Sequence, residues 1–257
     1  MRDSWATLDA RLWPLLTRDV VRCFSGSDFT PEEFIYSETP VTLFLCWSEA
    51  ELHTYAPLVR LVWDSLVNGM IHAYDNANSR PCYQALCLID EAGRTEIPNL
   101  AHYASTVCGR KISLVPVFQS LPQLVATYGR ARSDDIRNNC ENKLFFRPGD
   151  YESAAQLCEW LGKRSVFIRS ETEHDGERVS KGLSEREFPL MTPQEMDLMD
   201  RNDVIGFCSG FKKFKAKRFN PRRHAELVRR LHMQPPAPLA LPERCVYSRL
   251  LPSTAQS

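Results

Sequence analysis

The sequence is defined first by what it lacks. Its 32 Lys and Arg side chains are matched by 32 Asp and Glu, leaving no net charge of either sign. The field of the whole molecule therefore offers nothing to draw nucleic acid, and any such contact has to come from a local patch. Nine cysteines occur, none in a C-x-x-C pair. That spacing argues against a zinc ribbon or a disulfide framework and reads as single thiols in a reducing cytosol. The six histidines are scattered, H-E-x-x-H is absent, and so is the nucleophile elbow G-x-S-x-G; no zinc-protease or serine-hydrolase signature is present. No run approaches the ~20 apolar residues of a membrane helix. The first residues carry Asp3 and Asp9 and lack the basic, then apolar, then small-residue order of a signal peptide. No internal repeat is visible. The phosphate-binding loop G-x-x-x-x-G-K-[ST] is missing as well. What remains, 43% hydrophobic and 25% charged, is the balance of an ordinary globular chain.

Against these absences stands the segment 84–91, Gln-Ala-Leu-Cys-Leu-Ile-Asp-Glu. A short apolar run of this kind suits a strand buried on both faces of a parallel sheet. It ends abruptly in two carboxylates, Asp90 and Glu91, at the carboxyl end where open α/β sheets keep their ligands. This is the Walker B pattern: the first acid holds magnesium, often through water, and the second polarises the attacking water. The next apolar run, 112–118, ends in Gln119. An amide there can touch a γ-phosphate or orient water; it can equally cap the helix that follows.

The remainder of the chain reads as alternating helices and strands. Thr30-Pro31-Glu32-Glu33, Ser120-Leu121-Pro122-Gln123 and Thr192-Pro193-Gln194-Glu195 are helix starts with a capping side chain and an early proline. Helices are predicted over 4–24, from Ser48 to about residue 73, over 97–108 and 132–141, from Asp150 to Trp160 with Gly162 as its stop, and over 223–232. Strands are predicted at 41–47, 84–90, 112–118, 143–146 and 204–208. Residues 169–186, polar and charged, read as a loop or disordered excursion, and the proline-rich end from Gln234 as loose. Strands alternating with helices define an α/β fold, a parallel sheet with helices on both faces.

Leu88-Ile89-Asp90-Glu91, Gly109-Arg110-Lys111-Ile112-Ser113, Gln119-Ser120-Leu121-Pro122-Gln123-Leu124, Tyr128-Gly129 and Ile136 with Asn139 and Cys140 follow one another in this order. The ordered set resembles the TraG/TraD family of type IV secretion coupling proteins, the ring-shaped motor ATPases of bacterial conjugation, over roughly residues 35–235. The resemblance implies a RecA-like core, incomplete on its N-terminal side because the phosphate loop is absent. It implies residues 1–38 as a helical remnant of the insertion domain, 39–233 as the C-terminal part of the motor domain and 234–257 as a flexible tail. Carried onto matching positions, it gives Asp90 to magnesium, Glu91 as catalytic base and Gln119 as γ-phosphate sensor. Arg110 resembles the arginine that reaches the nucleotide of a neighbouring subunit; a surface arginine in a loop is the plain alternative. ATP and Mg2+ are the implied cofactors, bound only weakly by this chain alone. The implied partners are relaxosome proteins of TraM type, the DNA substrate, secretion-channel components and further copies in a hexamer. The implied location is the cytoplasm or the cytoplasmic face of the bacterial inner membrane. A truncated gene or a split protein would account for the missing loop. A non-catalytic module docking onto relaxosome or channel components is the rival reading.

One further cluster stands out. Lys213, Lys215 and Lys217 sit among Lys212, Arg218, Arg222 and Arg223 with Phe211, Phe214 and Phe219 interleaved. Basic residues with aromatics can follow a nucleic-acid strand. Lysines at this spacing also guard an edge strand against aggregation.

Overall fold

The computed structural model describes residues 17–27, 29–47, 50, 52–174 and 178–233. These fall into two compact units, one reaching to Val117 and taking in residues from Val228, the other running from Phe118 to Leu227.

The first unit contains α1 (Arg18–Cys23), α2 (Glu33–Tyr36), α3 (Leu52–Asp75), β1 (Ala85–Ile89), α4 (Leu100–Thr106) and β2 (Ile112–Pro116), the last preceded by a 3-10 turn, Cys108–Arg110. The predicted helix 4–24 survives as α1, capped by Thr17; its earlier residues lie outside the described ones, as does the proposed cap Ser48. β1 and β2 pair in parallel. One face of this ladder packs on α2, α3 and α4 through Ile35, Val67, Met70, Cys87, Tyr103 and Ile112. Burial along β1 alternates strictly: Ala85, Cys87 and Ile89 face this core, while Leu86 and Leu88 are exposed. Gly69 is required where α3 passes Pro31, because a Cβ there would stand 2.5 Å from the proline ring.

The second unit holds α5 (Leu121–Tyr128), α6 (Arg130–Asn139), β3 (Lys143–Phe146), α7 (Tyr151–Leu161), β4 (Lys163–His174), β5 (Arg178–Pro189), α8 (Pro193–Asp197), β6 (Asp203–Phe207) and β7 (Phe214–Lys217). The helix starts follow their caps: Ser120 accepts from the Gln123 N–H, Asp150 from Ser153, and Thr192 with Glu195 forms a complete capping box. Its core joins α7 and α8 to β6 through Leu157, Met196, Met199 and Ile205. Phe145, Trp160 and Phe207 meet at centroid distances of 5.6 to 6.3 Å, with Phe207 edge-on to both other rings.

Three expectations are corrected. Residues 41–47 form no strand; Phe44 is 81% exposed, and these residues join none of the ladders, without which an apolar run is not a strand. The strand predicted at 143–146 is present but pairs antiparallel with β6, as β6 does with β7, because hydropathy carries no information on strand direction. The stretch predicted as a polar loop is instead a hairpin, β4 with β5, paired over twelve rungs from Lys163–Pro189 to His174–Arg178.

The β6–β7 pair depends on Gly206. It lies opposite Phe214, and a Cβ would stand 2.1 Å from the Phe214 Cζ. Gly206→Ala is therefore expected to displace Phe214 and destabilise the second unit by about 1–3 kcal/mol, the usual cost of overpacking. Denaturant unfolding reads this; an unchanged midpoint would show that Phe214 swings aside freely.

Candidate functional site

The ladder fixes where the two acids emerge. Past the last paired residues, Val117 N–H donates to the Ile89 carbonyl and Ala92 N–H to the Val117 carbonyl, both at 2.9 Å. Asp90 is exposed, and its Oδ1 accepts the Glu91 N–H at 3.0 Å. Glu91 has φ 53°, a left-handed conformation uncommon outside glycine and concentrated at functional turns. Arg94 Nε reaches its carboxylate at 2.8 Å, and the Arg94 N–H returns to the Glu91 carbonyl at 2.9 Å. The turn is thus closed on itself, with Ala92 and Ile97 buried beneath it. Tyr103 then ties α4 to α3, its hydroxyl 2.5 Å from Asp64 Oδ1. Burial first, then Asp64, pushes the Tyr103 phenol up to about 12, so it remains a donor at any physiological pH.

Gln119 opens the second unit. Its N–H donates to Gln123 Oε1 at 3.0 Å, and the residue that caps α5 is its neighbour Ser120. Arg110 lies elsewhere. It ends the turn that leads into β2, whereas Asp90 follows β1. In a parallel pair those are opposite ends, about 16 Å apart for five residues at ~3.3 Å each. Arg110 Nε and Nη2 donate to the two oxygens of Asp75 at 2.8 and 3.1 Å, and Nη1 donates to the Thr106 carbonyl at 3.1 Å. Asp75 ends α3, where the helix dipole disfavours a carboxylate. The hydrogen-bonded Arg110 fork offsets this and holds the Asp75 carboxyl below its ordinary range. Within one chain the ladder therefore groups Asp90 with Glu91 and sets Arg110 apart.

The basic strand is engaged by its own fold. Lys215 Nζ lies 2.8 Å and Lys217 Nζ 2.5 Å from the oxygens of Asp203, whose side chain is only 8% exposed. Lys217 also reaches Asp200 at 3.4 Å. Lys213 donates to the Leu161 carbonyl at 3.1 Å and to that of Trp160, the last carbonyls of α7. Sequence reasoning missed Asp200 and Asp203. The available signal was two acids three residues apart ahead of a strand whose lysines alternate onto one face.

Hydrogen bonds from Lys215 and then Lys217 hold the Asp203 carboxyl below its usual 3.8; Asp200 and Glu195 in the same unit are lowered too, chiefly by backbone N–H groups of Asn202 and Thr192. A depressed folded pKa gives stability that is present above the unfolded value and lost as pH falls through the folded one. The melting temperature of the second unit is therefore expected to drop on acidification below about pH 4. Asp203→Asn should lower it at neutral pH and flatten the drop. A variant with an unaltered acid profile would remove Asp203 from this role.

Among the described residues no group of three or more His, Cys, Asp or Glu side chains could hold a metal ion. Two adjacent acids still suit magnesium, which needs one or two carboxylates when phosphates supply the remaining ligands. The 257 residues contain no phosphate loop to cradle a triphosphate. This donor set fits the metal and leaves the phosphates to be held by other residues.

Solved structures share this fold. The plasmid coupling protein TrwB in complex with a non-hydrolysable GTP analogue aligns over 80% of this chain and 46% of its own, with a TM-score of 0.61 and 18% identity. TrwB in complex with ADP and Mg2+ aligns over 74% and 43%, with a TM-score of 0.58. The fold is thus the RecA-like α/β one. Residues 84–201 match the family described as the TraM recognition site of TraD and TraG. The protein VirD4 of Agrobacterium fabrum is 26% identical over 199 residues, 76% of this chain and 29% of its own. A conjugal transfer protein TraG of Escherichia coli is 27% identical over 203 residues, 72% and 32%. These matches make the chain similar to the C-terminal portion of TraG/TraD coupling proteins. It spans about a third of the length of the curated relatives it matches.

Proposed function

We propose that this chain supplies the acid half of a coupling-protein ATPase site, with Asp90 placed to hold magnesium through water, Glu91 to take a proton from the attacking water and Gln119 to sense the γ-phosphate. The observation that carries this is the exposed acid pair at the carboxyl end of a parallel ladder, with Glu91 held in a left-handed turn. The TrwB structures that share the fold hold ADP with Mg2+ and an ATP analogue, which supports ATP and Mg2+ as the ligands here. Arg110, at the far end of the ladder, is suited to a neighbouring subunit's nucleotide in a ring, a hexamer in this reading. The complete protein then couples ATP hydrolysis to passing a DNA–protein substrate from the relaxosome, through TraM-like partners, to the secretion channel. It works at the cytoplasmic face of the inner membrane; no helix among the described residues is long and apolar enough to cross one. Residues 39–233 serve as the motor portion in this scheme, with 1–38 as a remnant of the insertion domain and 234–257 as a tail. Lys213, Lys215 and Lys217 act within the fold, and DNA contact by them is secondary.

Phosphate-release assays test the proposal. The isolated chain is expected to show no turnover above a Glu91→Gln control, because two carboxylates without phosphate-loop amides and lysine repel a triphosphate. A protein completed with a phosphate-loop segment is expected to turn over. A second reading draws on the family description, a TraM recognition site: the chain docks onto relaxosome proteins with its acids idle. Completed protein that binds a TraM-type partner yet releases no phosphate would favour that reading.

A further inference from the structure

Asp90 and Glu91 open an irregular stretch that runs to Asn99, between β1 and α4. It is left-handed near both ends, at Glu91 with φ 53° and at Asn99 with φ 58°. A residue with a side chain adopts such a φ at a cost and keeps it only where the surroundings impose it. At the Glu91 end the turn closes on Arg94 and Val117. At the other end the hold comes from α3. Asp64 Oδ1 accepts the Asn99 amide at 3.2 Å and the Tyr103 hydroxyl at 2.5 Å. Arg60 lies one helical turn before Asp64, on the same face of α3, and reaches Glu96 at 3.7 Å. Thr95, beside Glu96, is only 9% exposed. Its Oγ1 has no hydrogen-bond partner among the described residues, and neither has the buried Nε of Arg60. Unpaired buried polar atoms are costly and few in native folds, and two of them adjoin the contact between α3 and the acid turn.

We infer that Asp64 and Arg60 are positioning residues for Glu91: from one face of α3 they hold the stretch that ends in Asn99 and, through its backbone, the left-handed turn that aims the Glu91 carboxylate. The path is short. Glu96, held by Arg60, is two residues from Arg94, whose N–H closes the turn on the Glu91 carbonyl at 2.9 Å. A shift at Glu96 or Asn99 therefore reaches Glu91 along the main chain, without the Arg94 side chain. Asp64 serves the far end by a single oxygen shared between the left-handed Asn99 and the buried Tyr103. A carboxylate is the acceptor for this task, because it offers both donors an oxygen and no proton of its own. The rival explanation is that Asp64 only ties α4 to α3, in which case its loss loosens α4 and leaves the acid turn as it was. The inference rests on the ATPase reading for what Glu91 does; the hold of α3 on the turn does not.

Amide hydrogen exchange and kinetics test it together. Asp64→Asn keeps the size of the side chain and one acceptor oxygen but meets the Asn99 amide with a donor. In the 257-residue chain it is expected to speed exchange at Ala92 and Arg94, whose N–H groups bond the Val117 and Glu91 carbonyls, by about tenfold, as local opening does. The amides of the β1–β2 ladder should keep their parental rates. Arg60→Gln should give the same pattern and serves if Asp64→Asn fails to fold. Arg60→Lys, which keeps a cation for Glu96, should restore the parental pattern. In a protein completed with a phosphate loop, Asp64→Asn is expected to lower kcat by about 10–100-fold, the scale of a small misplacement, with the KM for ATP unchanged. It should add nothing to Glu91→Gln, because changes that act through one group are not additive. Faster exchange confined to α4, or spread evenly over the ladder, overturns the inference. So does a parental kcat, or a further loss in the Glu91→Gln background. Equal turnover by the completed parent and its Glu91→Gln variant, with the exchange pattern as expected, would remove the ATPase reading and leave the hold of α3 on the turn standing.

Discussion

In a protein completed with its phosphate loop, Glu91→Gln is expected to lower ATP turnover by about 10²–10⁴-fold, the usual contribution of a general base. Nucleotide affinity should change little. Glutamine keeps the volume of glutamate and its backbone preferences, so the left-handed turn at φ 53° persists. What it loses is the ability to accept a proton, together with the charged contact to Arg94 at 2.8 Å. Arg94→Gln separates these two losses. It removes the ion pair and leaves the carboxylate, so it should spare most of the turnover that Glu91→Gln abolishes. Asp90→Asn should act differently, weakening the dependence on magnesium before it weakens the chemical step. Steady-state phosphate release gives the turnover and titration with a fluorescent nucleotide gives the affinity. Equal turnover in Glu91→Gln and the parent would strip Glu91 of its role. Equal damage from Arg94→Gln and Glu91→Gln would point to the turn's geometry.

The parts of the fold that were legible in sequence are those fixed locally. Ser120, Asp150 and Thr192 cap helices because their side chains satisfy N–H groups three residues on, a bond that needs no tertiary context. Gly129 ends α5 with φ 75°, a conformation any other residue adopts at a cost. The strand at 85–89 was visible from its aliphatic run, and the acids after it from their adjacency. The parts that were not legible depend on partners distant in sequence. β3 is a strand in either direction; only Val204 and Ile205 opposite Phe146 and Phe145 make it antiparallel. The hairpin β4–β5 escaped notice because the stretch 169–186 is dominated by charged and polar residues and suggests a solvated loop. Asp175-Gly176, between the two arms in sequence, was the overlooked hairpin signal.

The site was half legible for the same reason. Hydropathy singled out Asp90, Glu91 and Gln119 as candidates by their place after apolar runs. It could not show that Lys215 and Lys217 would be taken up by Asp203, since an ion pair between β6 and β7 is a property of their register. Nor could it show that Leu86 and Leu88 stay uncovered. A run that is apolar at every position predicts two buried faces, and the described residues cover one.

The second large effect concerns Arg110. In a completed, assembled protein, Arg110→Ala is expected to cut turnover by about 10³–10⁵-fold, the contribution an arginine supplied in trans makes in GTPases, while nucleotide binding persists. The position of Arg110 at the end of the ladder opposite Asp90 rules out service to its own acids, so a catalytic role has to be in a neighbour's site. Its fork is held in the chain by both oxygens of Asp75, and that grip defines the rival explanation: Arg110 as a strut neutralising the end of α3. Asp75→Asn separates the two. If Arg110 is a strut, Asp75→Asn and Arg110→Ala should destabilise the first unit alike and impair turnover alike. If Arg110 acts on a neighbour, Asp75→Asn should leave most of the turnover, since the guanidinium remains, and Arg110→Lys should not rescue it, because an ammonium cannot bridge two phosphate oxygens as the planar fork does. Rings mixed from parent and Arg110→Ala subunits complete the test. A finger acting across the boundary silences the next subunit's site, so turnover by rings doped with the double variant Arg110→Ala, Glu91→Gln falls differently from rings carrying the two changes on separate subunits. Identical activity in those two mixtures would return Arg110 to a structural role.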